Sequence, residues 1–413
     1  MRRIAIVNAY SSANQIAPAL AAHGVACVHV QSRPALLDLH APTFRPGDFV
    51  ENVVHEGDLA ATAARLRALG VDQVIAGSEY GVELAEALAF AHGAPTNDPA
   101  TTALRRDKYA MIEALHEAGV PATAQRLCRT RAEVEAFARE QGARVVVKPL
   151  NSALNDGVSF CDTPRQAGAA FDAVIGRQSF YGDLIEAVVV QSYLDGHEYY
   201  VNTVSRGGVH HVAEIWLTTH IAANGVLNLL DSAILLPATG AVQDSLVAYA
   251  RACLDALGVT DSPAHLEIRM TREGPRLVEL GARLVGGPLS RIARMGLGRS
   301  QIDWIATAYA EPERFRAEAG TPYRLEATVS STALISRRAG RLVGYPGLPA
   351  VQALESFREI VEIVRPGGDL KITINDVTYP MMIVLAHADA AAVVRDSRTI
   401  RHLDRESFYD VAE

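Results

Sequence analysis

Two short alternating strands with a glutamate at matched positions constrain this chain more than any other feature. Residues 265–283 read HLEIRMTREGPRLVELGAR. With residues 271–275 as the connection, Met270 pairs with Arg276 and Glu267 lies directly opposite Glu279. Pro275 lacks an N–H and suits the loop better than the ladder. The side-chain period of two then places His265, Glu267, Arg269, Leu277, Glu279, Gly281 and Arg283 on one face. Leu266, Ile268, Met270, Val278 and Leu280 share the other, buried face. Like charges opposed across a sheet are destabilising, so a cation belongs between the two carboxylates. Hard oxygen donors with room left for phosphates and water suit Mg²⁺, with Mn²⁺ as a second option. The plainer alternative is two solvated glutamates on an edge hairpin.

At 413 residues the chain is expected to hold two or three domains. The formal charge of −8, with no Lys/Arg run, argues against a nucleic-acid-coating surface. Only three of the 39 basic residues are lysines, namely Lys108, Lys148 and Lys371, so each lysine invites a question. Cys27, Cys128, Cys161 and Cys253 show no paired spacing, which fits a reducing compartment without a zinc site. The opening MRRIAIVNAYSS is too short in apolar residues for a secretory signal, and no stretch approaches a membrane span. A cytoplasmic protein with no membrane or nucleic-acid partner is the expectation.

Residues 1–97 alternate strands (4–8, 26–30, 73–76) with helices (13–22, 59–69, 80–90), the pattern of a parallel α/β unit. The first strand runs into NAYSSAN rather than a Gly-x-Gly-x-x-Gly turn, so no dinucleotide is assigned there. A second unit over residues 98–310, with a lid at about 121–195, combines helices 105–118, 131–141 and 242–257 with strands of an antiparallel sheet. The segment 188–205 alternates, and 209–217 and 227–236 read as further strands. Residues 289–310 are helical with a break near Gly296–Gly298. From 311 to 413 strands return, followed by a helix near 389–397.

Lys148 ends the strand VVVK before the loop LNSALNDG. An ammonium at a strand end beside a small-residue loop can hold a phosphate while loop N–H groups fold over the rest. Asn151, Ser152, Asn155 and Gly157 supply side-chain donors or a positive φ, and Asp156 can tighten the turn. In VVVQSYLDGHEYYVN, Gln191, Tyr193 and Leu194 can present an adenine edge with hydrogen bonds, and Glu198 can accept from ribose hydroxyls. A surface lysine and a plain hairpin are the alternatives when each piece is taken alone.

Together these pieces resemble the ATP-grasp superfamily in order and spacing: RRDKYAM, VVVKP, NSALNDGVSF, QSYLDGHE and HLE…VELGAR. DGV, ELGARLVGG, ALISRRAGRL…LESFR, GSEYGVELAEAL and NDPATTALRRDKYAM are similar to the L-amino-acid ligase branch, across nearly the whole chain. The resemblance implies an α/β fold of ATP-grasp type: a parallel N-terminal domain, a central domain with antiparallel sheets, and a C-terminal α+β domain. It implies that Lys108 and Lys148 bind ATP phosphates, Gln191 and Leu194 adenine, and Glu198 ribose. Glu267 and Glu279 would hold Mg²⁺, and Arg283 would neutralise an acyl-phosphate and a tetrahedral oxyanion. Two departures stand out. Many ATP-grasp enzymes have Asn where this chain has Gly281, which weakens one metal contact, although the dipeptide-ligase branch also tends to have a small residue there. The lid often has Gly where this chain has Leu154.

The activity implied is ATP-dependent coupling of a small carboxylic acid to an amine, as in dipeptide-antibiotic ligases, releasing ADP and phosphate. Alignment, a cation and basic side chains suffice for such chemistry, and no Ser-His-Asp or Cys-His arrangement is needed. The alternatives are an ATP-grasp carboxylase or nucleotide-precursor ligase, and a non-catalytic ATP-binding module. Glu79 is a candidate for meeting a substrate amino group. Trp216, His265, Arg269 and Gly287 are candidates for the acceptor pocket. Homodimer formation stays open.

Overall fold

Apolar strands alternating with helices build a parallel sheet at the N-terminus, in a computed structural model that describes residues 2–36, 41–152 and 155–412. Strands β1 (Arg3–Val7), β2 (Ala26–Gln31), β3 (Glu51–Val54) and β4 (Val71–Ala76) lie in the order β3–β2–β1–β4, all parallel. β1 is buried on both faces, as a central parallel strand must be. Ala5 and Val7 pack into a core with helices Leu59–Ala68 and Val82–His92, whereas Ile4 and Ile6 pack with helices Ile16–Ala21 and Gln301–Ala310. After β4 the chain passes tightly under β1: a Cβ on Gly77 would lie 2.6 Å from the Asn8 carbonyl oxygen. Only glycine permits that approach, and it delivers Glu79 to the edge of a cleft.

The segment expected to form a lid is a four-stranded antiparallel sheet of β5 (Gln125–Cys128), β6 (Val145–Pro149), β7 (Ser159–Cys161) and β8 (Val188–Ser192), ordered β5–β8–β6–β7. Helices Arg131–Gln141 and Pro164–Val174 share its core. Each helix starts with a capping box, Thr130 with Glu133 and Thr163 with Gln166, satisfying N–H groups that have no partner within the helix.

The central sheet contains β9 (His197–Arg206), β10 (Val209–Ala223), β11 (Val226–Leu235), β12 (Pro263–Thr271), β13 (Gly274–Gly281) and β14 (Thr328–Ala333). The C-terminal strands are β15 (Gly340–Gly344), β16 (Phe357–Glu362), β17 (Asp369–Leu370), β18 (Met381–His387) and β19 (Asp410–Val411). β16 and β18 join the central sheet, which runs β13–β12–β9–β10–β11–β14–β18–β16 through the 310/311 position without a break. Residues 188–205 therefore form two strands of different sheets, β8 and β9, rather than one alternating stretch.

The β12–β13 hairpin differs in detail from its expected form. Its turn is the pair Arg272-Glu273, and Met270 pairs with Pro275 rather than Arg276. Pro275 sits in the ladder because β13 is the sheet's edge strand, where a missing N–H costs nothing. A bulge between Glu267 and Ile268 in the register absorbs one residue and restores Glu267 opposite Glu279. The bulge also exchanges faces: Leu277 is wholly buried, and Val278 lines the cleft instead. Among the described residues no helix is long and apolar enough to cross a membrane.

Candidate active site

Helix Lys108–Glu117 begins where Asp107 accepts from the backbone N–H groups of Tyr109 and Ala110, fixing Lys108 on the first turn. The Lys108 Nζ lies 3.0 Å from Glu279 Oε2 and donates to the Ser152 carbonyl at 3.0 Å. Lys148, on β6, points its Nζ at the Val278 carbonyl, 3.4 Å away, and is only 5% exposed. The two lysines and the two hairpin glutamates thus meet in one cleft of about 1080 Å³, open mouth included, between lid and central sheet.

Burial, and then the Lys108 charge, lower the Lys148 ammonium to about 8, against the pull of Glu279, Glu267 and Glu198. Burial, then the Glu279 and Glu198 charges, push the Glu267 carboxyl well above the ordinary carboxylate range. Burial alone would raise Glu279 too, but Lys108, Lys148 and Arg283 outweigh it and hold that carboxyl down. One carboxylate is therefore neutralised by lysine while its neighbour lacks a counter-charge, a donor set that suits an added divalent cation. Among the described residues no three His, Cys, Asp or Glu side chains stand close enough to hold a metal alone. Phosphate and water oxygens would complete the coordination, the usual manner for Mg²⁺.

The remaining expected residues fall around this centre. Ser152 donates to Asp156, and Asp156 also accepts from Arg177 and the Phe180 N–H, so it does tighten the lid loop. Asn155 and Gly157 both take a positive φ, +61° and +74°. A Cβ on Gly157 would meet Pro149 at 2.9 Å. Leu154 lies outside the described residues. Gln191, Tyr193, Leu194 and Glu198 line the cleft, with the Gln191 amide donating to Gln125. Arg269 ties that end together: it donates to Glu198 at 3.0 Å, to the Tyr193 hydroxyl and to the Leu194 carbonyl. Glu198 is thus already bonded to a guanidinium.

Glu79 bridges Arg106, at 2.5 Å, and Arg283, at 3.0 Å, beside a small side cavity next to Glu279. A carboxylate so held is committed to two arginines, and they lower its pKa despite burial. Gly281 makes room for it, since a Cβ there would sit 2.6 Å from Glu79 Oε2. Trp216 does not reach the cleft; it is wholly buried and its indole N–H donates to Glu214. Gly287 adopts φ +66° in open space. His265 is buried behind Glu267, its Nε2 3.4 Å from Glu267 Oε1. Burial, then the Arg283 charge, lower its imidazole to about 3.

Several cleft residues escaped the sequence reading, among them Tyr200, His220, Asn228 and Asp376. Asp376 arrives from the C-terminal segment, where INDVTY carries no recognisable motif. Its two carboxylate oxygens accept from the Asn155 amide at 3.3 Å. Burial, then the Glu267 charge, raise it to about 6.

Two lysines from separate elements thus face two carboxylates on a hairpin, beside a four-stranded sheet. Residues 141–291 fit the model of the ATP-grasp domain. The chain carries an ATP-grasp fold. This ATP-grasp chain is 29% identical to dapdiamide A synthase of Enterobacter agglomerans, over 98% of its own length and 96% of the relative's. Its structure superposes on the L-amino acid ligase of Bacillus licheniformis with a TM-score of 0.78 at 19% identity, covering 100% and 99% of the two chains. It also superposes, with a TM-score of 0.69 at 13% identity, on the biotin carboxylase domain of Hydrogenobacter thermophilus 2-oxoglutarate carboxylase. That match covers 99% of this chain and 90% of the other, whose structure holds MgADP.

Proposed function

We propose that this ATP-grasp chain joins the carboxylate of a small acid to the amine of an amino acid, forming a dipeptide or related amide for natural-product biosynthesis. The observation that carries the reading is the convergence of Lys108, Lys148, Glu267 and Glu279 in one cleft, with Arg283 adjoining it. ATP and Mg²⁺ are the cofactors of this class; bound here, they supply a transferable phosphoryl group and shield its charge.

The residues of the chain do the rest. Lys148 and Lys108 stand where phosphate oxygens need neutralising, in a buried site where an ammonium acts more strongly than in water. Glu267 and Glu279 would hold the cation through their carboxylates. Arg283, anchored by Glu79, presents a fixed guanidinium at the end of the cleft nearest Glu279 and stabilises negative charge on the reacting carbonyl. The lid loop excludes water, so that the activated acid meets the amine before it hydrolyses. The relation to dapdiamide A synthase and the likeness to an L-amino acid ligase support an amide product over the carboxylase reading. A chain that had lost catalysis would not need this complete set.

A screen of acid and amino-acid pairs for ADP release, with mass detection of the product, tests the proposal. ADP and phosphate in step with an amide are expected. Stoichiometric AMP, or turnover that requires bicarbonate, would overturn it.

A further inference from the structure

Gln125 on β5 and Gln191 on β8 are direct partners across their sheet, and Val146 on β6 and Phe160 on β7 continue the same row. Gln191, Val146 and Phe160 all line the cleft, so Gln191 brings an amide to a stretch of wall that is otherwise apolar. The Gln125 side chain ends 2.8 Å from the Tyr109 carbonyl oxygen and 3.0 Å from Glu113 Oε1. A backbone carbonyl only accepts, so the Gln125 NH₂ must face it and the Gln125 Oε1 must point the other way. That oxygen lies 2.9 Å from the Gln191 amide. Two amide oxygens would repel each other, so Gln191 turns its NH₂ toward Gln125, and both amides are oriented by their partners. The Gln191 Oε1 is left over. It meets no donor among the described residues and is not sealed inside the protein, which leaves it open to the cleft.

We infer that Gln125 is a positioning residue that selects the nucleobase: it holds Gln191 with a bare acceptor toward the cleft, so the base must bring an amino group there. The inference rests on the ligase reading above and concerns which purine its nucleotide carries. Adenine has an exocyclic amino group at this edge. Guanine and hypoxanthine have a carbonyl oxygen in its place, which would set two acceptors against each other with no proton between them. The relay begins at Tyr109 and Glu113, on the helix whose first residue is Lys108. One helix therefore places an ammonium at the carboxylate end of the cleft and orients an amide on the wall of β8.

Calorimetric titration of the full chain with the Mg²⁺ complexes of ADP and of inosine 5′-diphosphate tests this, because the two nucleotides differ only along that edge of the base. The wild type is expected to favour ADP by about 10- to 100-fold. Gln125→Lys puts a donor where the Gln125 oxygen was, still held by the Tyr109 carbonyl and Glu113. Gln191 should then turn its oxygen to the ammonium and its NH₂ to the cleft, weakening ADP, strengthening the inosine nucleotide and lowering their ratio by roughly 10-fold or more. Gln125→Met leaves Gln191 free to take either orientation and should lower the ratio by a smaller factor. A residue that only packs the sheet would weaken both nucleotides alike, and an unchanged ratio in the variants would overturn the inference. Equal wild-type affinity for the two would overturn it whether or not the variants fold, and would leave the ligase reading intact. A wild type that binds neither nucleotide would overturn that reading, and the inference with it.

Discussion

Lys148 keeps its charge in a place where burial and a second ammonium work against it, and that tension is measurable. Its pKa stands at about 8, below the ordinary lysine value. A nucleotide phosphate beside it favours the charged form and raises the pKa again, so binding takes up protons near pH 8 and weakens as the pH climbs above that value. Titration calorimetry of ADP without metal, in buffers of different ionisation enthalpy, is expected to show this uptake, and Lys148→Ala to abolish it along with most of the affinity. A lysine of no functional consequence would leave the ADP affinity unchanged. Glu279→Gln keeps the volume but removes the charge that faces Lys108, and kcat should fall roughly 100-fold or more while the melting temperature moves little. Normal turnover at saturating Mg²⁺ would make the hairpin merely structural. These residues were legible because lysine is scarce in the chain and a period of two puts the glutamates on one face. Asp376 was not, since nothing in its neighbours along the chain hints that a loop will carry it to the cleft of the two lysines. The arginine partners of Glu79 were not legible either, because a lone acidic residue at a helix start does not show that two arginines, at positions 106 and 283, will close on it.

At the level of single elements, the lid loop is tied at its tip to the C-terminal segment through the Asn155–Asp376 contact. Losing it should make the loop open more often by roughly 1 kcal/mol. Asp376→Ala is accordingly expected to leave ADP affinity within about twofold and to raise phosphate released per amide formed about fivefold. An unchanged ratio would show that the tether has no part in sealing the site; Leu154→Gly is expected to act in the same direction. Long periodic elements announced themselves: the helix Arg131–Gln141 matches its expected bounds residue for residue. Short edge pieces did not. β3, β5 and β7 have three or four residues each, too few to establish a period. The helix Pro164–Val174 was overlooked although Thr163 and Gln166 spell its capping box. The hairpin shows a subtler limit, because a five-residue loop and a two-residue turn with a bulge predict the same facing glutamates but opposite environments for Leu277 and Val278.

For the molecule as a whole, the N-terminal unit is bolted to the centre by a buried ion pair. Arg105 is fully buried, donates twice to Glu86 at 2.8 Å, and reaches the Asp98 and Leu257 carbonyls. Removing only the cation strands a buried carboxylate, so Arg105→Met should cost about 3–5 kcal/mol in denaturant unfolding, with much of the loss recovered when Glu86 is also replaced by Leu. A change below 1 kcal/mol would mean that Glu86 finds water or another partner. Strand order in the central sheet lay beyond the sequence, because each strand's own pattern says that it pairs but not with which of a dozen others. The eight-stranded sheet has one further consequence. The hairpin of Glu267 and Glu279 lies at one margin and β16 at the other, and between them strands from the middle of the chain lie edge to edge with strands from its last quarter. Pairings so distant along the chain close large loops and form slowly. During synthesis, then, the N-terminal unit can fold while the rest is still being made, but the cleft waits for Asp376, the last of its lining residues to leave the ribosome.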